Sequence, residues 1–243
     1  MVAEDRHSRG GGRPAEGTGP GVITPDGCSV ELYAMLPAGE EPRIVHGAVG
    51  EGASILELGA GAGRVTHPLL ALGHPVLAVD ESPQMLERIH GAELVASSIE
   101  RLDLGREFDA VLLASHLVNV PDVEWRRTLL RTCRRHLRPG GRVLIQRHAP
   151  GWFDTAEPFE RRGADLPAGP LVVRMLDVRR PGPGLLSATM EYQVGARTWT
   201  QWFTAARVDD AQLAADLAAV GLAIDGQLTG DGTWVAARLA TPG

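Results

Sequence analysis

Between residues 54 and 148 short apolar runs alternate with stretches of helical spacing, and the junctions are marked by glycine, proline, serine or aspartate. "SILEL" (54–58), "PVLAVD" (75–80), "AELVAS" (92–97), "FDAVLLAS" (108–115) and "RVLIQRH" (142–148) are the strand candidates. Runs this rich in Val, Leu and Ile suit strands buried on both faces, which happens when helices cover a parallel sheet from both sides. The helices follow in turn. "RVTHPLLALG" (64–73) tolerates Pro68 only near its first turn, and "SPQMLERIH" (82–90) has Ser82 as N-cap with Pro83 at its first position. "DVEWRRTLLRTCRRHL" (122–137) places Trp125, Leu129, Cys133 and Leu137 on one face, and "PGG" stops it. This alternation predicts an α/β fold, a Rossmann-like doubly wound sheet that is mainly parallel.

The flanks differ. Residues 1–21, rich in Gly, Arg and Pro that cannot form a core, lack a signal-like apolar stretch and are expected to be a disordered tail. Residues 22–243 are expected to form a single domain, in which "SVELYAML" and "EPRIVHGAV" make short helices within 22–50. Residues 149–170 form an insertion rich in Pro and Gly. After it, "LVVRMLDVRR", "LLSATMEYQV" and "RTWTQWFTAARV" predict antiparallel strands up to 207, expected to extend the same sheet. A closing helix and hairpin fill 208–243.

Composition removes whole classes of chemistry. All 24 basic residues are arginine, so a Schiff base to pyridoxal phosphate and a P-loop lysine are both excluded. A net charge of −6 offers no general attraction to nucleic acid or to an anionic membrane, and the arginines of "WRRTLLRTCRRHLR" read as a solvated helix face. There is no run of eighteen apolar residues. Cys28 and Cys133 have neither metal-site spacing nor disulfide density, which points to a cytoplasmic chain with no metal.

"ILELGAGAGRV" (55–65) carries glycines at 59, 61 and 63, which let the chain turn sharply from strand to helix and let a ligand approach the backbone. A dinucleotide fold would want its third glycine at 64, where Arg64 stands, so the spacing is wrong for NAD. Glu57 would repel a pyrophosphate and hold an ammonium. Asp80, seventeen residues after Gly63 at the end of the next strand, is placed to accept two hydrogen bonds from a ribose diol. Together these features ask for an adenosine cofactor with no phosphate and a positive end.

In its motifs, "ELGAGAGR...VLAVDESPQMLERI...FDAVLLASHLVNV...LRPGGRVLI", the chain resembles the class I S-adenosylmethionine-dependent methyltransferases, small-molecule type, from about residue 54 to 148. The resemblance implies S-adenosyl-L-methionine as cofactor. It gives the first cofactor motif to Glu57, Gly59, Ala60, Gly61 and Gly63, the ribose to Asp80, and the flanks of the adenine to Glu81 and Met85. Many members carry an acid after the third strand to accept the adenine amino group. Here Ser98 stands in that position, with the Ile99 backbone beside it and Glu100 as a displaced substitute or a plain helix-turn charge. Ser115 ends the fourth strand at the same edge, and Tyr33 resembles the tyrosine that such members present from an N-terminal lid helix, with core packing as the other reading.

For the acceptor, His116 in "ASHLVNV" either orients or deprotonates the nucleophile or merely caps the strand end. Asn119, the only asparagine in the chain, and His148 share that edge. Tyr192, Trp199 and Trp202 on the late strands and Trp152 in the insertion are expected to wall the pocket or to serve as packing. His7, His46, His67, His74, His90 and His136 are expected at the surface. The resulting expectation is methyl transfer to a small metabolite or short peptide, nitrogen favoured over oxygen, of the kind that tailors natural products. A cofactor-binding scaffold or cyclase and an RNA methyltransferase stand as alternatives.

Overall fold

The computed structural model describes residues 15–241. Twelve strands there form two sheets. The larger has seven strands. β2 (Ile55–Leu58) lies in the middle, with β3 (Val76–Asp80) and β4 (Glu93–Ala96) on one side and β5 (Phe108–Leu113) and β6 (Leu137–Gln146) on the other, all parallel. The hairpin of β11 (Leu222–Gln227) and β12 (Trp234–Leu239) joins antiparallel to β6 and completes the order β11-β12-β6-β5-β2-β3-β4.

Alternate residues of these strands enter two separate apolar layers. Leu56, Leu58, Val79, Val111, Leu113 and Ile145 face α5 (Val123–Arg135) and α7 (Asp210–Ala218) through Leu129, Cys133, Leu213 and Leu217. Ile55, Val76, Leu112 and Leu144 face α2 (Glu41–Ala48) and α3 (Thr66–Ala71) through Val45, Ala48 and Leu69. Two buried faces explain why these strands read as unbroken apolar runs. As the sequence predicts, Ser82 caps α4 (Pro83–Leu86), its hydroxyl accepting the Met85 N–H.

α5 ends before "PGG". His136 terminates it by donating from Nδ1 to the Thr132 carbonyl and accepting the Leu104 N–H at Nε2, and Leu137, expected on the helix face, opens β6 instead. His136 and His74 are thus buried rather than at the surface, and His74 bonds His46 and the Ala53 carbonyl. His46 and His67 are half-buried, His90 is exposed, and His7 lies outside the described residues. The arginine cluster is not wholly solvated either. Arg126 is buried and pairs with Asp216 of α7 at 2.7 Å, with Arg127 on the other carboxylate oxygen at 2.9 Å. A buried pair of this kind costs about 3–5 kcal/mol to break by removing one partner.

The late strands do not extend the main sheet. β8 (Gly169–Arg179), β9 (Leu185–Val194) and β10 (Arg197–Ala206) build a second, antiparallel sheet with β7 (Phe159–Leu166) at one edge. β7 and the one-turn α6 (Trp152–Thr155) lie inside the stretch read as an insertion rich in Pro and Gly. The other edge is β1 (Ala15–Thr18), pairing Glu16 with Trp202. The expected disordered tail is therefore corrected at 15–18, where exposed backbone on β10 offers four residues a ladder; residues 1–14 lie outside the described residues. α1 (Val30–Tyr33) covers the inner face of this sheet, Leu32 packing with Leu171, Val173 and Trp199. Among the described residues no helix is long and apolar enough to cross a membrane.

Candidate functional site

The loop after β2 is held by its own backbone. Ala60 N–H donates to the Val79 carbonyl at 2.9 Å and Gly63 N–H to the Ala60 carbonyl at 3.1 Å, so the turn is tied to β3. Gly59, Gly61 and Gly63 all have positive φ, at 70°, 56° and 85°. They differ in surroundings. A Cβ on Gly59 would stand 2.9 Å from Leu117 Cδ1, and one on Gly63 2.7 Å from the His67 ring, whereas one on Gly61 would meet nothing within 4 Å. Gly61 therefore presents bare main chain to open space, the approach a ligand needs.

Asp80 closes the turn from the next strand tip. Its Oδ2 accepts the Gly61 N–H at 2.8 Å and its Oδ1 the Ser82 N–H at 2.9 Å. Two backbone amides thus fix the orientation of the carboxylate at the strand tip. Glu81 beside it is exposed. Met85 is buried with Val30 and Ala62 and so backs the loop from below instead of lying open at an adenine edge. At the tip of β4, Ile99 is buried and its carbonyl accepts from Thr132, while Ser98 Oγ is buried with no hydrogen-bond partner among the described residues. A buried hydroxyl without a partner is uncommon in a folded chain.

Glu57 departs from its expected role. It is 3% exposed, its Oε2 accepts from Thr66 Oγ1 at 2.6 Å, and burial pushes its carboxyl up to about 7 against the opposing pull of Thr66 and Arg64. It braces the loop from underneath, on the α3 side of the sheet.

At the tip of β5 the chain reverses through two consecutive non-glycine residues at positive φ, Ser115 at 53° and His116 at 58°. This left-handed geometry costs roughly 1–2 kcal/mol per residue and persists only where surroundings enforce it. Gln146 Oε1 accepts the Ser115 N–H at 2.8 Å, and Asn119 N–H donates to the His116 carbonyl at 2.9 Å. The reversal lays His116 flat on His148, centroids 3.9 Å apart and planes 10° apart, and His148 in turn on Trp152 at 4.2 Å and 14°. Burial holds the His116 imidazole down at about 4, opposed by a backbone hydrogen bond at Arg147, and burial with the neighbouring His116 lowers His148 further. Nδ1 of His116 is buried and unpartnered among the described residues.

The structure thus brings His116, His148 and Trp152 together at one strand edge, and corrects three other acceptor candidates. Asn119 is buried, with Oδ1 accepting the His148 N–H at 2.8 Å and Nδ2 donating to the Ala206 carbonyl at 2.9 Å, so its amide is spent on positioning backbone. Trp199 is 1% exposed and donates to the Pro20 carbonyl inside the second core. Trp202, three residues on, points to the opposite face of that sheet and is 36% exposed.

Tyr33 reaches across from α1, donating to Gln201 Oε1 at 3.1 Å, and packs near Tyr192, which stands opposite Trp199 in the ladder. Burial, then Cys28, holds both phenols protonated, Tyr192 at about 12. A cavity of about 450 Å³ opens beside the loop, bounded by Tyr33, Ala62, Arg64 and His67 among others. Sequence reasoning missed Glu41, Gln146 and Leu117. Their spacing carries no motif, and only the folded chain sets them against the loop and the strand tips.

Comparison with known proteins agrees with this arrangement. Residues 55–141 match the model of a methyltransferase domain family. The ubiquinone biosynthesis O-methyltransferase of Xanthomonas oryzae pv. oryzae is 34% identical over 104 residues, 39% of this chain and 42% of that one, so the chain spans less than half of its length. Two solved structures resemble the whole fold. The sugar N-methyltransferase KedS8 from Streptoalloteichus superposes with a TM-score of 0.67 at 20% identity, covering 82% of this chain and 85% of that one. The glycopeptide N-methyltransferase MtfA, complexed with S-adenosylmethionine, does so with a TM-score of 0.56 at 25% identity, covering 91% and 100%. Residues 55–141 thus carry a methyltransferase domain, set in a fold shared with solved S-adenosylmethionine-dependent methyltransferases.

Proposed function

We propose that this chain transfers a methyl group from S-adenosyl-L-methionine to a nitrogen of a small metabolite or short peptide, in the tailoring of a natural product. The residues present fit the cofactor. Asp80 would hold the ribose diol, the unsatisfied Ser98 Oγ and the Ile99 backbone the adenine, and the bare backbone at Gly61 the tail. Bound there, the cofactor supplies an electrophilic methyl on a sulfonium sulfur.

The His116–His148–Trp152 stack carries the choice of acceptor. A displacement at a methyl carbon needs the nucleophile held in line, and positioning of this kind supplies roughly 7–11 kcal/mol. An imidazole held down at about 4 is neutral at physiological pH and reluctant to take a proton, which suits a hydrogen-bond partner better than a base. A neutral amine attacks without losing a proton first, so His116 need only orient it. A hydroxyl acceptor would ask for a stronger base than this edge offers. The buried Nδ1 with no partner gives the orienting atom. Tyr33 and Trp152 add apolar and π surface, which favours an acceptor with an apolar or cationic body.

Two measurements test the reading. Calorimetry with S-adenosylhomocysteine should give a binding isotherm, and absence of heat removes the cofactor assignment. Release of S-adenosylhomocysteine should then be followed with a panel of amines, phenols and carboxylic acids. Turnover with amines supports the proposal, turnover confined to phenols or acids overturns the nitrogen preference, and tight binding with no turnover across the panel supports a scaffold.

A further inference from the structure

The inward face of β8 changes parity partway along the strand. Leu171, Val173 and Met175 pack on the inner side of the second sheet, and so does Val178, an odd step beyond Met175. The register gives the reason. Leu176 pairs with Thr189 and Arg179 with Ser187, so Asp177 and Val178 stand opposite Ala188 alone, and Asp177 takes up the extra residue at a φ of 53°. A bulge of this kind sends every later side chain to the other face. Arg180 therefore falls on the side where α6 packs.

There its guanidinium gathers three carbonyls at the end of that helix. Nε donates to the Phe153 carbonyl at 2.8 Å, and Nη2 to the Asp154 and Ala156 carbonyls at 3.0 and 2.9 Å. The last carbonyls of a helix have no partner within it, and α6 has a single turn with no side-chain cap at Gly151. Its buried anchor is Phe153, packed with Ala156, Met175 and Leu186. One ring fixes where the helix sits but not how it is turned. Arg180 supplies the second fixed point. What it turns is Trp152, which lies face to face with His148, while Phe153 stands nearly perpendicular to both rings. Arg207 also pairs with Asp154, but that side chain is 65% exposed, where an ion pair contributes little.

We propose that Arg180 is a positioning residue for methyl transfer: from the second sheet it sets the angle of Trp152, and through that ring the planes of His148 and His116 against which the acceptor is held. Its hydrogen bonds go to the backbone at the end of α6, so it acts through Trp152 and not on the reacting atoms. This inference rests on the acceptor reading above, and goes beyond it by naming the residue, outside the main sheet, that keeps that wall in place.

The test reads the stack first, without substrate. In the full chain with isotopically labelled histidine, NMR should find the His148 ring protons displaced upfield by the faces of His116 and Trp152, the signal being assigned by its loss in His148→Gln. Arg180→Met should remove a large part of that displacement, and Arg180→Lys, which keeps a cationic donor, should retain more of it. The member of the acceptor panel above that turns over fastest then serves as substrate. Arg180→Met should lower its kcat/KM about tenfold and leave S-adenosylhomocysteine affinity within twofold. In a Trp152→Ala background the same substitution should change kcat/KM less than about twofold, because an effect carried through one ring disappears with that ring. Equal losses in the two backgrounds, or an unmoved His148 signal in Arg180→Met, would make the residue a plain structural tie and overturn the proposal. So would wild-type kcat/KM in Arg180→Met. No turnover of any panel member by a wild type that binds S-adenosylhomocysteine would remove the acceptor reading itself, and the proposal with it.

Discussion

At the tips of β2 and β3 the site is made of main chain: the open Gly61 backbone and two N–H groups aimed at Asp80, all within a span of about twenty-five residues. At the tips of β5 and β6 it is made of side chains, a three-ring stack whose members come from positions 116, 148 and 152 and which leans on Asn119, Gln146 and the end of β10. The two halves solve different problems. An invariant ligand can be met by a rigid turn whose conformation is local. A particular acceptor must be met by rings and amides whose placement depends on distant packing, and the left-handed pair Ser115–His116 is the strained joint where the two halves touch.

Breaking the cofactor half should give the largest effect. Asp80→Ala would remove both proposed ribose bonds and two loop braces; with charged hydrogen bonds worth about 1.5–3 kcal/mol each, affinity for S-adenosylhomocysteine should fall by about 10²–10⁴-fold in calorimetry. Similar affinities in wild type and Asp80→Ala would dissolve the contrast between the halves. His116→Ala should do the converse, lowering turnover by about 10²-fold through lost positioning while leaving that affinity within twofold. A matching drop in cofactor affinity would show the ring stack to be part of the nucleoside site. Gly61→Ala is a finer probe. Its new methyl enters open space, so the melting temperature should fall only by what a left-handed alanine costs, about 1–2 kcal/mol, whereas cofactor affinity should fall about tenfold.

The smallest effects should appear in stability against pH, and the two halves have opposite signs. His116 titrates near 6.5 in the unfolded chain and near 4 in the fold, so its contribution is whole above pH 6.5 and is lost as the pH falls toward 4. Glu57 is raised from 4.5 to about 7, so its contribution is whole below pH 4.5 and is lost as the pH rises through 7. Melting curves from pH 4 to 8 should show Glu57→Gln flattening the decline toward neutral pH and His116→Gln flattening part of the decline toward acid, with His148 supplying the rest. A variant that flattens the other limb would show its half misassigned.

Legibility follows the same division. Gly59, Gly61, Gly63 and Asp80 were readable because their meaning is local: positive φ asks for glycine, and a carboxylate ends the neighbouring strand. Ser82 as cap of α4 was readable for the same reason. Asn119 and Trp199 were misread as acceptor contacts because their partners lie 87 and 179 residues away, at Ala206 and Pro20. Glu57 was right in place and wrong in direction, since strand alternation sends it under the loop.

By itself, then, the order of residues determined the parallel core, the glycine turn after β2 and the carboxylate that closes it from the next strand tip, because burial on two faces and backbone conformation are encoded over a few neighbouring positions. Tertiary structure alone decided that the late strands make a second sheet, that two histidines and a tryptophan stack into one wall, and that Glu41 meets Arg64 with an oxygen left over. The His116–His148 and Glu41–Arg64 contacts join residues 32 and 23 positions apart, and no short window of sequence contains both partners.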